Sequence, residues 1–223
     1  MKPKISVIIP AYNEEKFIKR AIDSVKRQSY PNYEIIVVAD GCADKTAEIA
    51  RKYVIKVFEI KQRGAGLSKN LGAKHAKGKI LVFFDADSIM SKNLLEDIHQ
   101  AIKRSYVGGV CRTFGDDEEL KTRIYWWLGH LYNHIYLLPH ALIFCRKDMF
   151  RKVGGYDERL KIAEDSILLR KLMKKGKVKY ITSSFVKTSM RGHKKKGYIK
   201  WTWDVASGFI FRSKRCKEYK VLR

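Results

Sequence analysis

Apolar and polar positions along this chain follow two rhythms, and the first hundred residues switch between them at regular intervals. Residues 5–10 (ISVIIP), 33–40 (YEIIVVAD) and 79–85 (KILVFFD) are short, nearly unbroken apolar runs, the pattern of strands buried on both faces. In 13–28 (NEEKFIKRAIDSVKRQ) the period lengthens, so that Phe17, Ile18, Ala21, Ile22 and Val25 share one helical stripe. Asn13 reads as the cap of that helix, with Glu14 and Glu15 in its first turn. A short helix is predicted over 44–53 and a third strand over 54–60, and a Gly-rich loop opens a helix over 66–76. A further helix covers 91–104, capped by Ser91, with Leu94, Leu95, Ile98 and Ile102 inward.

This alternation predicts an α/β fold with a doubly wound, mostly parallel sheet flanked by helices. The second half is less regular. Residues 106–114 and 140–146 read as strands, 147–160 as a short helix running into a Gly-Gly turn, and 164–176 as a helix ending on Gly. With no repeats and no low-complexity linker, 1–223 reads as one domain with a mixed-sheet extension. Its parts are a nucleotide-binding half (about 1–104), an acceptor-side half (about 105–190) and a basic segment (about 191–223).

In doubly wound sheets ligands sit beyond the carboxyl ends of the strands. Those ends carry Pro10-Ala11-Tyr12-Asn13, Asp40-Gly41 and Asp85-Ala86-Asp87. Asp85 and Asp87 close a buried run and, two residues apart in extended chain, point the same way. Two such carboxylates repel unless a cation or donors lie between them, and a hard divalent ion completed by phosphate oxygens, Mg²⁺ or Mn²⁺, answers that need. Asp40 suits a ribose hydroxyl or a base edge, and an Asx turn with Gly41 equally well. The loop 64–72 (GAGLSKNLG) is neither a dinucleotide fingerprint nor a Walker A loop, and reads as a helix N-terminus with Lys69 facing a phosphate or sugar. Glu164 and Asp165 open a helix, where dipole complementarity would explain them, and where a general base facing a second substrate is also expected.

Composition narrows the picture. The 223 residues carry 47 Lys and Arg against 23 Asp and Glu, a net charge of +24, which favours polyanions of any kind: nucleic acid, anionic lipid or diphosphates. The excess gathers in 191–201 and 212–223, which together hold one acid. Four scattered cysteines and no leader read as a reduced, cytoplasmic protein without a zinc site. Residues 124–145 lack any Asp, Glu, Lys or Arg and are long enough to span a bilayer. Their three His, one Asn and one Pro argue against a span, leaving an interfacial or acceptor-groove segment or ordinary core.

Taken in order, SVIIPAYNEEKFIKRAIDSVKRQSYPNYEIIVVADGCADKT, GLSKNLGAKHAKGKILVFFDADS, VGGYDERL and AEDSILLRKL resemble the family 2 glycosyltransferases of the GT-A fold over about residues 4–176. The resemblance implies a metal-dependent, inverting transfer from a UDP- or GDP-sugar to a hydroxyl acceptor, such as a lipid-linked saccharide or cell-surface glycan precursor. It implies that Pro10, Ala11, Tyr12 and Glu14 line the nucleotide pocket and that Asp40 contacts the base or ribose. Asp85 and Ala86 would lie near ribose and sugar, and Asp87 would hold Mn²⁺ or Mg²⁺ on the diphosphate, with His193 as a late metal ligand. Asp165 would be the base, with Glu164 toward the acceptor and Gly155 and Tyr156 in the turn leading there. Ala39, Cys42 and Lys69 stand where relatives often have Asp, Ser and Arg, so Lys69 brings a point charge to the diphosphate or sugar instead of a bidentate fork. The Gln/Arg-x-x-Arg-Trp signature of processive synthases is missing, which implies one sugar per encounter. A polyprenyl-phosphate acceptor is the nearest alternative, and a nucleic-acid-binding protein is the alternative from charge alone. Peripheral contact with an anionic membrane at its cytoplasmic face follows from the basic tail.

Overall fold

The computed structural model describes residues 2–61, 64–136, 141–160, 163–198 and 200. The first half alternates as predicted: β1 (Ile5–Ala11), α1 (Ile18–Lys26), β2 (Tyr33–Asp40), α2 (Thr46–Arg51), β3 (Lys56–Ile60), α3 (Ala65–His75) and β4 (Ile80–Phe84). Then come β5 (Ser88–Met90), α4 (Leu94–Lys103), β6 (Gly108–Gly115), α5 (Leu120–Tyr136), β7 (Leu142–Arg146), α6 (Lys147–Lys152), α7 (Glu164–Met173), β8 (Val178–Thr188) and α8 (Arg191–Lys196). They build an eight-stranded mixed sheet in the order β3-β2-β1-β4-β7-β6-β8-β5. The four strands from β3 to β4 run parallel, β7 is antiparallel to both β4 and β6, and β8 is parallel to β6.

Strand alternation divides the core between the two faces of the sheet. Val7, Ile9, Val82 and Phe84 pack against Ile18, Ile22 and Val25 of α1 and Leu95 and Ile98 of α4. Ile8, Leu81 and Phe83, the residues in between, pack with Ala73 of α3, Phe150 of α6 and Leu168, Leu169 and Leu172 of α7. Fully burying Ile18, Ile22 and Val25 contributes roughly 5–9 kcal/mol before chain entropy is counted. On the other face α3 lies close to β1 at Gly72, where an added Cβ would stand 2.4 Å from Ile8 Cγ2.

Several boundaries differ from the sequence pattern, each because a distant group takes over a local hydrogen bond. α1 starts at Ile18, with Phe17 and not Asn13 before it. Asn13 sits at φ 53° with Oδ1 accepting from Ala43 N at 2.8 Å, and Glu14 N donates to Thr46 Oγ1 at 2.7 Å. Ser91 does not cap α4; its Oγ accepts from Phe185 N at 3.0 Å. β5, α5, β8 and α8 are additions to the predicted elements. β8 slips register against β6 between Cys111 and Arg112, where Ser183 and Ser184 leave the ladder to donate to Asp97. The apolar stretch 124–145 divides between α5 and β7, and among the described residues no helix is long and apolar enough to cross a membrane. The basic stretch 201–223, with Cys216, lies outside the described residues.

Candidate active site

β1, β2 and β4 end nearly level: Ala11 stands opposite Ala39, and Ile8 opposite Phe83. Strand order reverses at β1, which has β2 on one side and β4 on the other, and a crevice opens there. It forms a pocket of about 290 Å³ lined by Pro10, Ala11, Tyr12 and Glu14 after β1, Asp40 on β2, and Asp85, Ala86 and Asp87 after β4. Ala65 and Lys69 of α3 and Glu164 and Asp165 of α7 complete it. The fold thus gathers from both halves of the chain every residue expected to meet a nucleotide sugar, together with the acidic pair. A larger pocket, about 440 Å³, lies among Phe114, Thr122, Trp126 and Phe185 and contains none of the strand-end acids. The smaller one holds the concentrated charge.

Its lining has six carboxylates and one ammonium, within a protein of net charge +24. The ammonium, Lys69 Nζ, is 4% exposed and donates to Glu164 Oε1 at 2.9 Å and to Asp165 Oδ2 at 2.7 Å. Burial opposes its charge, but Asp165, Glu164 and Asp85 outweigh that and hold the pKa above the ordinary lysine value. Tyr156 OH donates to Asp165 Oδ1 at 2.6 Å, so each oxygen of Asp165 has one donor and keeps a lone pair. Tyr156 is itself buried against Phe83 and Phe150, and Gly155 is buried in the turn beside it. Tyr156 therefore acts on the pocket through Asp165. Burial first, then the Asp165 charge, raises the Tyr156 pKa well above normal.

Asp40 accepts from Gly64 N with both oxygens, at 3.0 and 3.1 Å, tying the start of α3 to the end of β2. Asp85 keeps some opening toward the pocket, and its amide donates to Ala141 O at 3.0 Å. Burial pushes its pKa up to about 7; Lys69 opposes this, while Asp87, Asp165 and Glu164 add to it. Asp87 is raised as well, chiefly by burial, with Arg191 opposing.

Arg191 of α8 is the participant that sequence reasoning passed over. Its guanidinium pairs with Glu14 Oε1 and lies 3.4 Å from Asp87 Oδ2. It also stacks on Phe17, 4.7 Å from the ring centroid, and Arg20 stacks on the same ring at 4.5 Å. Burial lifts Glu14 to about 7 against the pull of Arg191, with Asp87 and Asp44 reinforcing the rise, and Glu14 Oε2 is buried with no hydrogen-bond partner. The Lys-rich run around Arg191 was the available signal, but nothing in it marked which cation turns inward. Asn70 was missed too; its side chain clamps the Tyr156 backbone with two 3.0 Å hydrogen bonds. His193 lies among the rings of Tyr125, Trp126 and Tyr198, and burial pushes its pKa down to about 4.

The donor set suits a hard divalent cation. It is all carboxylate oxygen, and it includes the buried Glu14 Oε2 and the raised Asp85 and Asp87. Among the described residues no three His, Cys, Asp or Glu side chains form a metal cage. A cation here would take one or two carboxylates and complete its shell from ligand oxygens. Three residues other than glycine with left-handed backbone border the crevice: Asn13 after β1, Ala141 beside Asp85, and Ala163 (φ 59°) before Glu164. Such conformations cost energy that surrounding structure must hold, and they gather at sites with fixed geometry.

Comparison with known proteins places this arrangement among relatives. The family model described as Glycosyl transferase family 2 matches residues 6–160. An uncharacterized glycosyltransferase of Rickettsia typhi is 30% identical over 202 residues, covering 83% of this chain and 64% of that protein. Glycosyltransferase GlyG of Streptococcus pneumoniae is 28% identical over 134 residues, 57% of this chain and 44% of that one. The chain thus spans less than two thirds of the length of these relatives. Among solved structures, residues 1–349 of Staphylococcus aureus TarS in complex with UDP-GlcNAc superpose with a TM-score of 0.67 at 24% identity, covering 82% of this chain and 58% of that one. A mannosyltransferase of Pyrobaculum calidifontis in complex with GDP-Man and Mn²⁺ gives 0.68 at 18% identity, over 90% of this chain and 60% of that one. At those identities the likeness is one of fold.

Proposed function

Because the chain belongs to glycosyl transferase family 2, we propose that its acidic crevice takes a UDP- or GDP-linked sugar and passes one sugar, with inversion, to the hydroxyl of a saccharide or lipid-linked acceptor. The convergence of three strand ends with Glu164 and Asp165 on one pocket carries this reading. Likeness of fold to proteins solved with UDP-GlcNAc and with GDP-Man supports both nucleotides as candidates.

Pro10, Ala11, Tyr12 and Glu14 wall the nucleoside, and Asp40 reaches base or ribose from the opposite strand end. Asp87, backed by Asp85, holds Mn²⁺ or Mg²⁺, which when bound supplies Lewis-acid stabilisation of the leaving diphosphate. Asp165 takes the acceptor proton on a carboxylate oxygen, and Glu164 faces the acceptor. Lys69 and Tyr156 keep the Asp165 carboxylate in one orientation, so attack starts from a fixed geometry. The acceptor oxygen bonds to the anomeric carbon as that carbon's bond to the diphosphate breaks. One displacement of this kind inverts the centre and needs no covalent sugar on the protein.

A thermal-shift screen of UDP, GDP, UDP-GlcNAc and GDP-Man, with and without Mn²⁺, tests the reading. A ligand at a hundred times its Kd adds about 2.7 kcal/mol, or roughly 5–10 °C for a chain of this size. A melting point unmoved by all four nucleotides, with Mn²⁺ present and absent, overturns it.

A further inference from the structure

α5 carries its large apolar side chains on the wrong side for a core helix. Leu120, Ile124, Trp127, Leu128 and Leu131 are 71, 50, 66, 53 and 60% exposed. With successive residues about 100° apart, the five fall in an arc of about 100° on the outer face. Thr122 and Trp126, on the opposite face, are the buried ones. Lys121 and Arg123 are exposed and flank the arc, each about 80° from its middle. Long cationic side chains beside an apolar stripe carrying Trp are what a helix lying in a lipid headgroup layer presents.

The surrounding charge agrees. The acids just before α5 are engaged by cations: Asp116 with Arg20, Asp117 with Lys194, and Glu119 with both Lys194 and Lys121. Of this run Glu118 has no such ion pair among the described residues, and α8 packs on α5 through His193 and Tyr125. The chain as a whole is +24. A second copy would bring the same positive field to the stripe, so an anionic surface is the better complement.

We propose that the outer face of α5 seats this protein on an anionic lipid surface, with Trp127 and Leu131 in the headgroup layer and Lys121 and Arg123 on lipid phosphates. α5 also lines the 440 Å³ pocket through Thr122, Arg123 and Trp126, so the docked face and that pocket share one helix. The inference rests on the proposed reaction only in naming where a lipid-linked acceptor is met.

The test is sedimentation of the full chain with vesicles of phosphatidylcholine containing phosphatidylglycerol, against pure phosphatidylcholine. Binding to the anionic vesicles alone, weakened by salt, is expected. Trp127→Ser combined with Leu131→Ser should weaken it at least about tenfold. Lys121→Gln and Arg123→Gln should each weaken it about fivefold. Unaltered melting temperatures show that these surface variants fold. Absence of binding, or binding unchanged in the apolar double variant, overturns the proposal. So does lipid-free self-association that the double variant abolishes, since the stripe would then be a contact between copies. Sugar-nucleotide turnover on the same preparations separates this outcome from failure of the proposed reaction.

Discussion

Raising the pH in the absence of divalent metal should destabilise this protein through the carboxyls of its crevice. Asp85 is lifted from 3.8 to about 7 and Glu14 from 4.5 to about 7, burial being the main cause of both. For an acid whose folded value exceeds its unfolded one, stability is full below the unfolded value and is lost as pH climbs through the folded one. The loss therefore falls between about pH 4 and 7, at about 1.4 kcal/mol per pH unit for each group. From about pH 5 to 7 that is about 2–3 kcal/mol for Asp85 alone. Both groups interact with Asp87, and protonating one relieves the other, so about 3 kcal/mol for the pair is the working magnitude. In a chain of this size that corresponds to roughly 6–12 °C in melting temperature.

Global charge also changes with pH, so the informative comparison is the parent against Asp85→Asn, with chelator, at about pH 5 and about pH 8. Near pH 5 the variant should melt only about 3–6 °C higher, because the folded carboxyl is still neutral and just the unfolded one has ionised. Near pH 8 that gap should have widened by a further 5–10 °C or about that. Mn²⁺ should raise the parent more at the higher pH, since only the ionised carboxylates bind it. A gap between parent and variant that is equal at both pH values would refute the reasoning, for it would mean that Asp85 ionises as freely as in the unfolded chain.

Other consequences are separable. Lys69→Met leaves Glu164 and Asp165 without their buried cation and should cost about 3–5 kcal/mol; a melting curve within about 1 °C of the parent would contradict that. Asp165→Asn should retain donor affinity by calorimetry while transfer falls about 10²- to 10⁴-fold, and a normal rate dismisses it as the base. Tyr156→Phe removes only the 2.6 Å hydrogen bond to Asp165 and should slow transfer about tenfold to a hundredfold without changing donor affinity. Gly155→Ala places a Cβ 2.8 Å from Asn70 Oδ1 at φ 61°; a loss of about 2–3 kcal/mol in denaturant unfolding is expected, and a neutral change would show that the turn can relax.

The paired strands β1, β2 and β4 and the helices between them were legible because the signals are local. A buried strand needs an apolar run, and a helix on a sheet needs an apolar stripe. β8 escaped notice because Lys, Thr and Ser interrupt its apolar positions and its partners lie far away on β6 and β5. The ends of α1 and α4 shifted because Thr46 and Phe185 satisfied groups that a local reading had assigned to caps. Within the site, the positions of the acids were readable and their partners were not.

By itself the sequence determined which strands form the parallel half of the sheet and that acids stand where those strands stop, because a residue's place in a strand depends on its immediate neighbours. Only the tertiary structure decided what those acids meet. Lys69 reaches across 96 positions to Asp165, and Arg191 across 177 to Glu14. Such contacts belong to the closed chain, whose packing brings the start of α7 and α8 to the crevice, and no local pattern of residues encodes which of many lysines and arginines arrives there.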